Sequence, residues 1–428
     1  MKKFFIACLI MLSIVSFTGI SSATNGDNLI SIGPISRSMG GVGIAAPQDA
    51  ISAVFSNPAA MCFGPYCPGS EFDFAGTLFM PKPEAKINVG GQVIKADSDD
   101  KVYAIPAIGI SVPITNTFPL WRFGLAAYGV SGLGVDYRDT AIDNPRYYFG
   151  GQAPLVAGEY TQLQILKFAP LIAFQPNEKF SLGLAVHIDY ANLDLRQGSD
   201  FNYGLGVQLG ALYKLSDNVH FGVSYVTPQK VDYQNVNDFD QSGTADNLKL
   251  EQPQEIGAGI AVEPIPGKLL LEIDGKWVNW SDAEGYDDFD WDNQWVFAAG
   301  AQLKPTKQIA LRVGYNYGKN PINEHNGFDG SFNPATGFPN DVVNVQGKTI
   351  PRYYYESFRI IGFPAIVQHH ITFGLGYEFS NAFALHAGYM HAFEETITEH
   401  GVSPDGRPAT FESTLSEDSL EFGLTWRF

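Results

Sequence analysis

From residue 71 onward the chain alternates. "KFSLGLAVHIDY" sets Phe180, Leu182, Leu184, Val186, Ile188 and Tyr190 on one face, with Ser181, Gly183, Ala185, His187 and Asp189 on the other. "NYGLGVQLGALYKL" sets Tyr203, Leu205, Val207 and Leu209 against Gly204, Gly206, Gln208 and Gly210. "QIALRVGYNYG" does the same with Ile309, Leu311, Val313, Tyr315 and Tyr317 against Ala310, Arg312, Gly314 and Asn316. A period of two with one apolar face predicts β-strands. Fourteen such segments are predicted: 71–80, 101–113, 120–131, 160–176, 179–195, 203–215, 218–227, 255–264, 268–280, 293–304, 307–318, 368–380, 382–393 and 417–428. Each is about long enough to cross a bilayer as a tilted strand.

The connections sort by parity. After even strands they are short: "ITNTFP", "PNE", "SDN", "PIPG", "PT" and "SN". After odd strands they are long, at 81–100, 132–159, 228–254, 281–292, 319–367 and 394–416; only the one near 196–202 is short. Short turns on one rim and long loops on the other is the arrangement of an outer-membrane barrel, and an even strand count fits it. A soluble sandwich has no reason to sort its loops this way. The last strand, "LEFGLTWRF", ends on an aromatic, which resembles the signal by which such barrels are handed to their assembly machinery.

The first residues add a compartment. Lys2-Lys3, the apolar run Phe4 to Val15 and Ser21-Ser22-Ala23 read as a signal peptide over 1–23, which removes Cys8. Its two lysines are its only charges, so of 27 basic and 45 acidic residues the mature chain keeps 25 and 45, a net of −20. That acidity excludes nucleic acid as a partner. No run of 18 apolar residues remains for a transmembrane helix. The mean hydropathy of −0.05 alone suggests a soluble protein, but aromatics at 13% and 45 glycines suit a barrel, whose membrane signal lies in its alternation.

Residues 24–70 precede the first strand and lack sustained alternation. "ISAVFSNPAAM" (51–61) has helical spacing in Ile51, Val54 and Phe55 and breaks at Asn57-Pro58. The predicted helix, Pro47–Ser56, is too short to stand alone in water. Fourteen strands enclose a lumen wider than side chains fill and narrower than the open channel of a porin. The segment is therefore expected inside the barrel as a hatch. Pro47 suits a first helical turn, and Pro58 forces Asn57 out of helical geometry. The Asn57 amide can both donate and accept, tying the turn to the hatch or to the wall. Ala59 and Ala60 permit close approach, and Gly40, Gly41 and Gly43 supply a flexible lead-in. Taken alone, Asn57-Pro58 also reads as an ordinary helix stop.

With these residues in view, "SRSMGGVGIAAPQDAISAVFSNPAAM" resembles the hatch of the FadL/TodX family of outer-membrane transporters for long-chain fatty acids and aromatic hydrocarbons. The family's Asn-Pro-Ala motif matches Asn57, Pro58 and Ala59; "KWVNWS" (276–281) resembles its ninth strand and "FPAIVQHHITFGLGYEF" (363–379) its twelfth. A second Asn-Pro-Ala, at 333–335, lies in a long loop and reads as coincidence. The resemblance implies external capture of a hydrophobic ligand, an apolar pocket, a hatch that shifts, and sideways exit at a kinked third strand. Tyr128 and Gly129 fall at the kink position, and Gly129, Gly132 and Gly134 would weaken pairing there. The short "RQGSD" connection departs from well-known fatty-acid members, so the substrate does not carry over.

The remaining chemistry is thin. Cys62 and Cys67 in "CFGPYCPG" are disulfide candidates in an oxidising compartment; without further ligands nearby they make no metal site. "SDAEGYDDFDWDN" (281–293) lacks EF-hand spacing and reads as a solvated loop near lipopolysaccharide. His369-His370 point opposite ways, as do His386 and His391. No nucleophile elbow or phosphate loop occurs. Inward Arg312, Lys276 and Arg427 offer positive charge to a substrate carboxylate, but are expected to pair with inward Asp274 or Glu421 instead. The sequence thus predicts an all-β, 14-stranded antiparallel transmembrane β-barrel (71–428) with an N-terminal hatch (24–70) inside the lumen. It would be a monomeric channel for hydrophobic compounds, with no cofactor, no metal and no enzymatic activity. A polar-solute porin and an outer-membrane lipid-modifying enzyme are the alternatives.

Overall fold

The structure is a computed structural model that describes residues 24–65, 69–99, 102–143, 154–240 and 242–428. Fourteen antiparallel strands form a closed ring. They are β1 (Glu71–Val89), β2 (Tyr103–Pro113), β3 (Leu120–Asp136), β4 (Tyr160–Asn177), β5 (Phe180–Asp194), β6 (Ser199–Ser216) and β7 (Val219–Val226). They continue as β8 (Glu255–Ile265), β9 (Leu269–Val278), β10 (Gln294–Leu303), β11 (Ile309–Gly318), β12 (His369–Ser380), β13 (Phe383–Val402) and β14 (Pro408–Arg427). β14 pairs with β1 from Ala409↔Val89 to Arg427↔Glu71, so the sheet closes on itself and has no free edge strand. Leu182, Leu184, Val186, Ile188 and Tyr190 of β5 are exposed on the outside, while Ser181, His187 and Asp189 are buried inside. The alternation of the sequence is thus the inside–outside division of the wall.

Several strands run further than their apolar pattern. β1, β3, β13 and β14 continue through stretches expected as loops, including 81–89, 394–402 and 408–416. Above Met80 the outward residues of β1 are Lys82, Glu84 and Lys86, paired with Asp418, Lys95 and Glu412. The apolar face stops where lipid stops, but the hydrogen-bonded ladder does not. The long loops are also structured. Gln229–Asn237 pairs with Asp246–Gln252, Val342–Val345 with Lys348–Pro351, and helix α3 covers Arg352–Ser357.

Residues 24–65 fill the lumen. They carry a short α1 (Pro34–Arg37), α2 (Ala50–Ser56) and a 3-10 turn (Pro58–Cys62). α2 begins later than the expected Pro47, because the Asp49 side chain caps it by accepting from Ser52 N at 2.8 Å. It ends at Asn57, which is extended (φ −160°, ψ 106°) ahead of Pro58. A seven-residue helix persists because Ala50, Ile51, Ala53 and Val54 are buried against the wall.

Candidate functional site

The hatch is seated by wall groups that receive its backbone. On β9, Asp274 Oδ2 accepts from Gly43 N at 2.8 Å and Ile44 N at 3.1 Å, and Glu272 Oε1 accepts from Ala45 N at 2.7 Å and Ala46 N at 3.0 Å. On β1, Asp73 Oδ2 accepts from Ala50 N at 2.9 Å. The buried Arg37 reaches Glu421 of β14 at 3.4 Å. Charge-assisted bonds of this kind are stronger than neutral ones. Gly40, Gly41 and Gly43, expected as a flexible lead-in, are instead part of this fixed seat: Gly40 N donates to Thr372 Oγ1 at 2.9 Å, and its carbonyl accepts from Asn316 Nδ2 at 3.0 Å.

Asn57 is wholly buried and uses both ends of its amide. Nδ2 donates to Ile44 O within the hatch at 2.7 Å and to Ala211 O on β6 at 3.2 Å, while Oδ1 accepts from Ala59 N at 3.0 Å. Ala59 O accepts from Ser181 Oγ of β5 at 2.7 Å. Behind this turn stand Gly183 and Gly210. A Cβ at Gly183 would lie 2.3 Å from Ala59 N, and one at Gly210 would lie 2.1 Å from Asn57 Oδ1. The wall lacks side chains where the Asn-Pro-Ala turn touches it.

Beside the hatch is a luminal cavity of about 50 Å³. Phe55, Tyr128 and Val130 give it an apolar side, and Lys167, His187 and Lys276 are among its polar lining. The Phe55 and Tyr128 rings meet edge-on at 5.7 Å. Tyr128 and Val130 also belong to a break in the wall. Pairing between β2 and β3 runs from Pro113↔Arg122 to Ala107↔Tyr128 and stops. Beyond it β3 stays paired with β4, through a bulge that leaves Val130 without a partner between Gly129↔Leu166 and Ser131↔Ile165. Gly132 and Gly134 continue that ladder opposite Gln164 and Gln162. Higher up the break closes again, where Asp136 O accepts from Asp99 N at 2.8 Å and Asp136 N donates to Ser98 Oγ at 2.9 Å. The result is a framed window, and the hatch fills it: Asn28 pairs with Ser131, and Ile30 packs among Phe79, Tyr103, Ile105 and Met390. The glycines signal this break in the sequence; Asn28 and Ser131 carry no local signal.

The external loops form a cap over the lumen. The 281–293 stretch, expected as a solvated loop, turns its aromatics inward. Tyr286 and Trp291 are buried and meet Trp280 and each other tilted or edge-on, at ring separations of 4.7 to 5.1 Å. Tyr286 and Trp291 line a cavity of about 20 Å³ with Leu163, Leu248, Leu250 and Phe289, and Phe289 also lines one of about 220 Å³ with Phe239, Tyr354 and Phe358. Four elements of the cap are joined by charge. His325 Nε2 meets Asp290 at 2.6 Å and its Nδ1 meets Glu356 at 3.0 Å, while Arg359 joins Glu356 at 3.0 Å and Glu399 at 2.8 Å. The hydrogen bond that His325 donates to Glu356 holds the imidazole above its ordinary value, against burial and the Arg359 charge. Burial raises the Glu356 carboxyl, but His325 and the neighbouring arginines outweigh it and keep it low. The His325, Glu356 and Glu399 ligand atoms lie within 4.8 Å of one another, yet the Arg359 guanidinium already supplies the countercharge a metal would bring.

Other expectations change. Arg427 pairs with Glu71 at 2.7 Å, Lys276 with Glu255 at 3.6 Å, and Arg312 donates to Gln302 at 2.7 Å, because Asp274 and Glu421 are committed to the hatch. Cys62 is buried at the end of the hatch turn; its candidate partner Cys67 lies outside the described residues.

A closed barrel with a lipid-facing exterior, plugged from within by its own N-terminal segment, is a channel of the Gram-negative outer membrane. More specifically, the chain belongs to the outer membrane protein transport protein family (OMPP1/FadL/TodX), whose model matches residues 16–327. That family is one of transport channels and not of enzymes. No curated protein matches the sequence. Among solved structures, a Pseudomonas aeruginosa FadL homologue is similar at 16% identity and a TM-score of 0.67, over 94% of this chain and 100% of that chain. The P. putida toluene transporter TodX is similar at 16% identity and a TM-score of 0.64, over 93% and 99%. The Ralstonia pickettii toluene transporter TbuX follows at 15% identity and a TM-score of 0.61, over 93% and 98%. At these identities the likeness carries the fold.

Proposed function

We propose that this channel takes up amphipathic hydrophobic molecules, long-chain fatty acids or related compounds, and releases them sideways into the membrane at β2–β3. The observation that carries this reading is the framed window between Ala107↔Tyr128 and Asp136, occupied by the hatch residue Asn28. Tyr128, Gly129, Gly132 and Gly134 would form its β3 edge, and Asn57, Pro58 and Ala59 would hold the hatch that vacates it. The luminal cavity favours a ligand with a polar end, since Lys167 and His187 line it together with Phe55 and Val130. Sideways release also suits the cargo: at about 0.8 kcal/mol per methylene, a sixteen-carbon chain prefers membrane to periplasm by roughly 12 kcal/mol. One chain supplies barrel and hatch, so the channel acts as a monomer, with outer-membrane lipid and lipopolysaccharide around it.

The test is uptake of labelled oleate and labelled toluene by cells stripped of their own hydrophobic transporter. Oleate should enter, and an Asn28→Cys/Ser131→Cys disulfide should block it until reduced. Toluene uptake alone would assign the channel to hydrocarbons. Uptake of small sugars with neither ligand would replace the reading with a porin.

A further inference from the structure

Asp27 adjoins the window and touches more elements than its place at the start of the hatch requires. Its side chain is wholly buried. Oδ1 accepts from Ser131 Oγ of β3 at 2.6 Å. Oδ2 accepts from Gln252 Nε2, at the end of the 229–252 hairpin, at 3.2 Å, and from the Tyr286 hydroxyl of the cap. The next residue, Asn28, pairs with Ser131 in the window and donates to Glu255 at 3.1 Å. The preceding residue, Gly26, has φ +64°, and a Cβ there would lie 2.9 Å from the Trp280 ring. Three residues thus join the aromatic cap to the window.

We propose that Asp27 is a positioning residue that couples opening of the cap to opening of the window, a role that rests on the exit reading above. The Tyr286–Asp27–Gln252 junction stands between two cavities. Tyr286 lines the outer one with Leu248 and Leu250, and Gln252 and Asn28 line the luminal one. A ligand moving inward must part Tyr286 from Asp27. A buried carboxylate that loses a donor is left undersolvated. The cheapest relief is for the turn at Gly26 and Asp27 to move, because Tyr286 is packed against Trp280 and Trp291 and β3 is held by β4. Movement of Asp27 takes Asn28 with it, and the Asn28↔Ser131 pair is lost. The passage inward therefore unlocks the passage out, and the window stays shut while the channel is empty. Ser131, which holds the other oxygen, sets the strength of the lock.

The test is hydrogen exchange of the 25–32 backbone in the intact, detergent-solubilised protein, with and without oleate, in wild type, Tyr286→Phe and Asp27→Asn. Tyr286→Phe keeps the ring and removes only the hydroxyl. Wild-type exchange should rise on adding oleate. In Tyr286→Phe, ligand-free exchange should already be faster by about tenfold, the effect of one lost bond to a charged group, with little further change on adding oleate. Asp27→Asn should behave alike, and the heat-shifted gel band of a folded barrel serves as the control for both. Wild-type exchange rates in both variants, with and without oleate, would overturn the coupling. The Asn28→Cys/Ser131→Cys disulfide separates the two readings. If it blocks uptake while Tyr286→Phe leaves exchange unchanged, the coupling alone fails. If uptake proceeds with the disulfide closed, the exit reading fails and the coupling with it.

Discussion

Replacing Asn57 with alanine should loosen the hatch without opening the barrel. Three hydrogen bonds end on its amide, one from Ala59 N, one to Ile44 O and one to Ala211 O of the wall. The two within the hatch are buried and the one to the wall is partly buried, so Asn57→Ala leaves a donor and two acceptors short of a partner. At about 1 kcal/mol net for each bond, the hatch turn loses about 3 kcal/mol. That is roughly a hundredfold in its local opening equilibrium. The strands are held by their own ladder, so the barrel's denaturation midpoint should barely move. Asn57→Asp sharpens the test. It keeps the acceptor for Ala59 N but sets a carboxylate oxygen against two carbonyls, so it should loosen the turn more than alanine does. Amide exchange of Ala59 and Ala60, compared with strand amides such as Leu184, reads the effect directly. Exchange at Ala59 within threefold of wild type in Asn57→Ala, or an aspartate variant tighter than the alanine one, would refute the reasoning.

Gly183→Val should unseat the hatch turn, since even a Cβ comes 2.3 Å from Ala59 N; conductance in planar bilayers should rise, while Gly76→Ala, where nothing lies within 4 Å, should leave it unchanged. Glu421→Ala should destabilise by about 3–5 kcal/mol because it strands the buried Arg37 charge, and the double change Arg37→Met/Glu421→Leu should recover much of that; urea unfolding checks both. The His325 imidazole is raised by its partner Glu356, so its contribution to the cap is complete below the unfolded histidine value and is lost as pH rises through the folded one. Proteolysis of the 319–330 stretch should therefore quicken from pH 6 to pH 9 in wild type, facing Asp290, Glu356, Glu399, Arg352 and Arg359, and be fast and nearly flat with pH in His325→Gln.

Local sequence reports local structure here with fidelity. The strands are legible because lipid forces every second side chain to be apolar, as along Leu182–Tyr190. Where β1 rises above the bilayer, Lys82 and Lys86 take those positions, the signal vanishes and the strand continues. The Asn-Pro-Ala turn is equally local. Asn57 Oδ1 accepts from Ala59 N at 3.0 Å, and Asn333 Oδ1 accepts from Ala335 N at 2.9 Å in an exposed loop. The same three residues build the same turn twice. Only at Asn57 does the amide's other end find Ile44 and Ala211, one of them over 150 residues away. No short-range pattern announces that.

The wall facing the hatch is hidden for the same reason. Read along their strands, Glu71, Asp73, Glu272 and Asp274 look like the hydrophilic lining of an open pore, and Gly183 and Gly210 look like empty space. Their partners lie in the first 60 residues of the chain: Ala50 for Glu71 and Asp73, Ala45 and Ala46 for Glu272, Gly43 and Ile44 for Asp274, and the Asn57–Ala59 turn for the two glycines. The acids and the missing side chains are therefore a mould for the plug. A polar luminal face in such a sequence does not by itself argue for a porin. What distinguishes the two is whether a segment outside the strands has enough unpaired backbone N–H groups to occupy those acids, and residues 43–50 do.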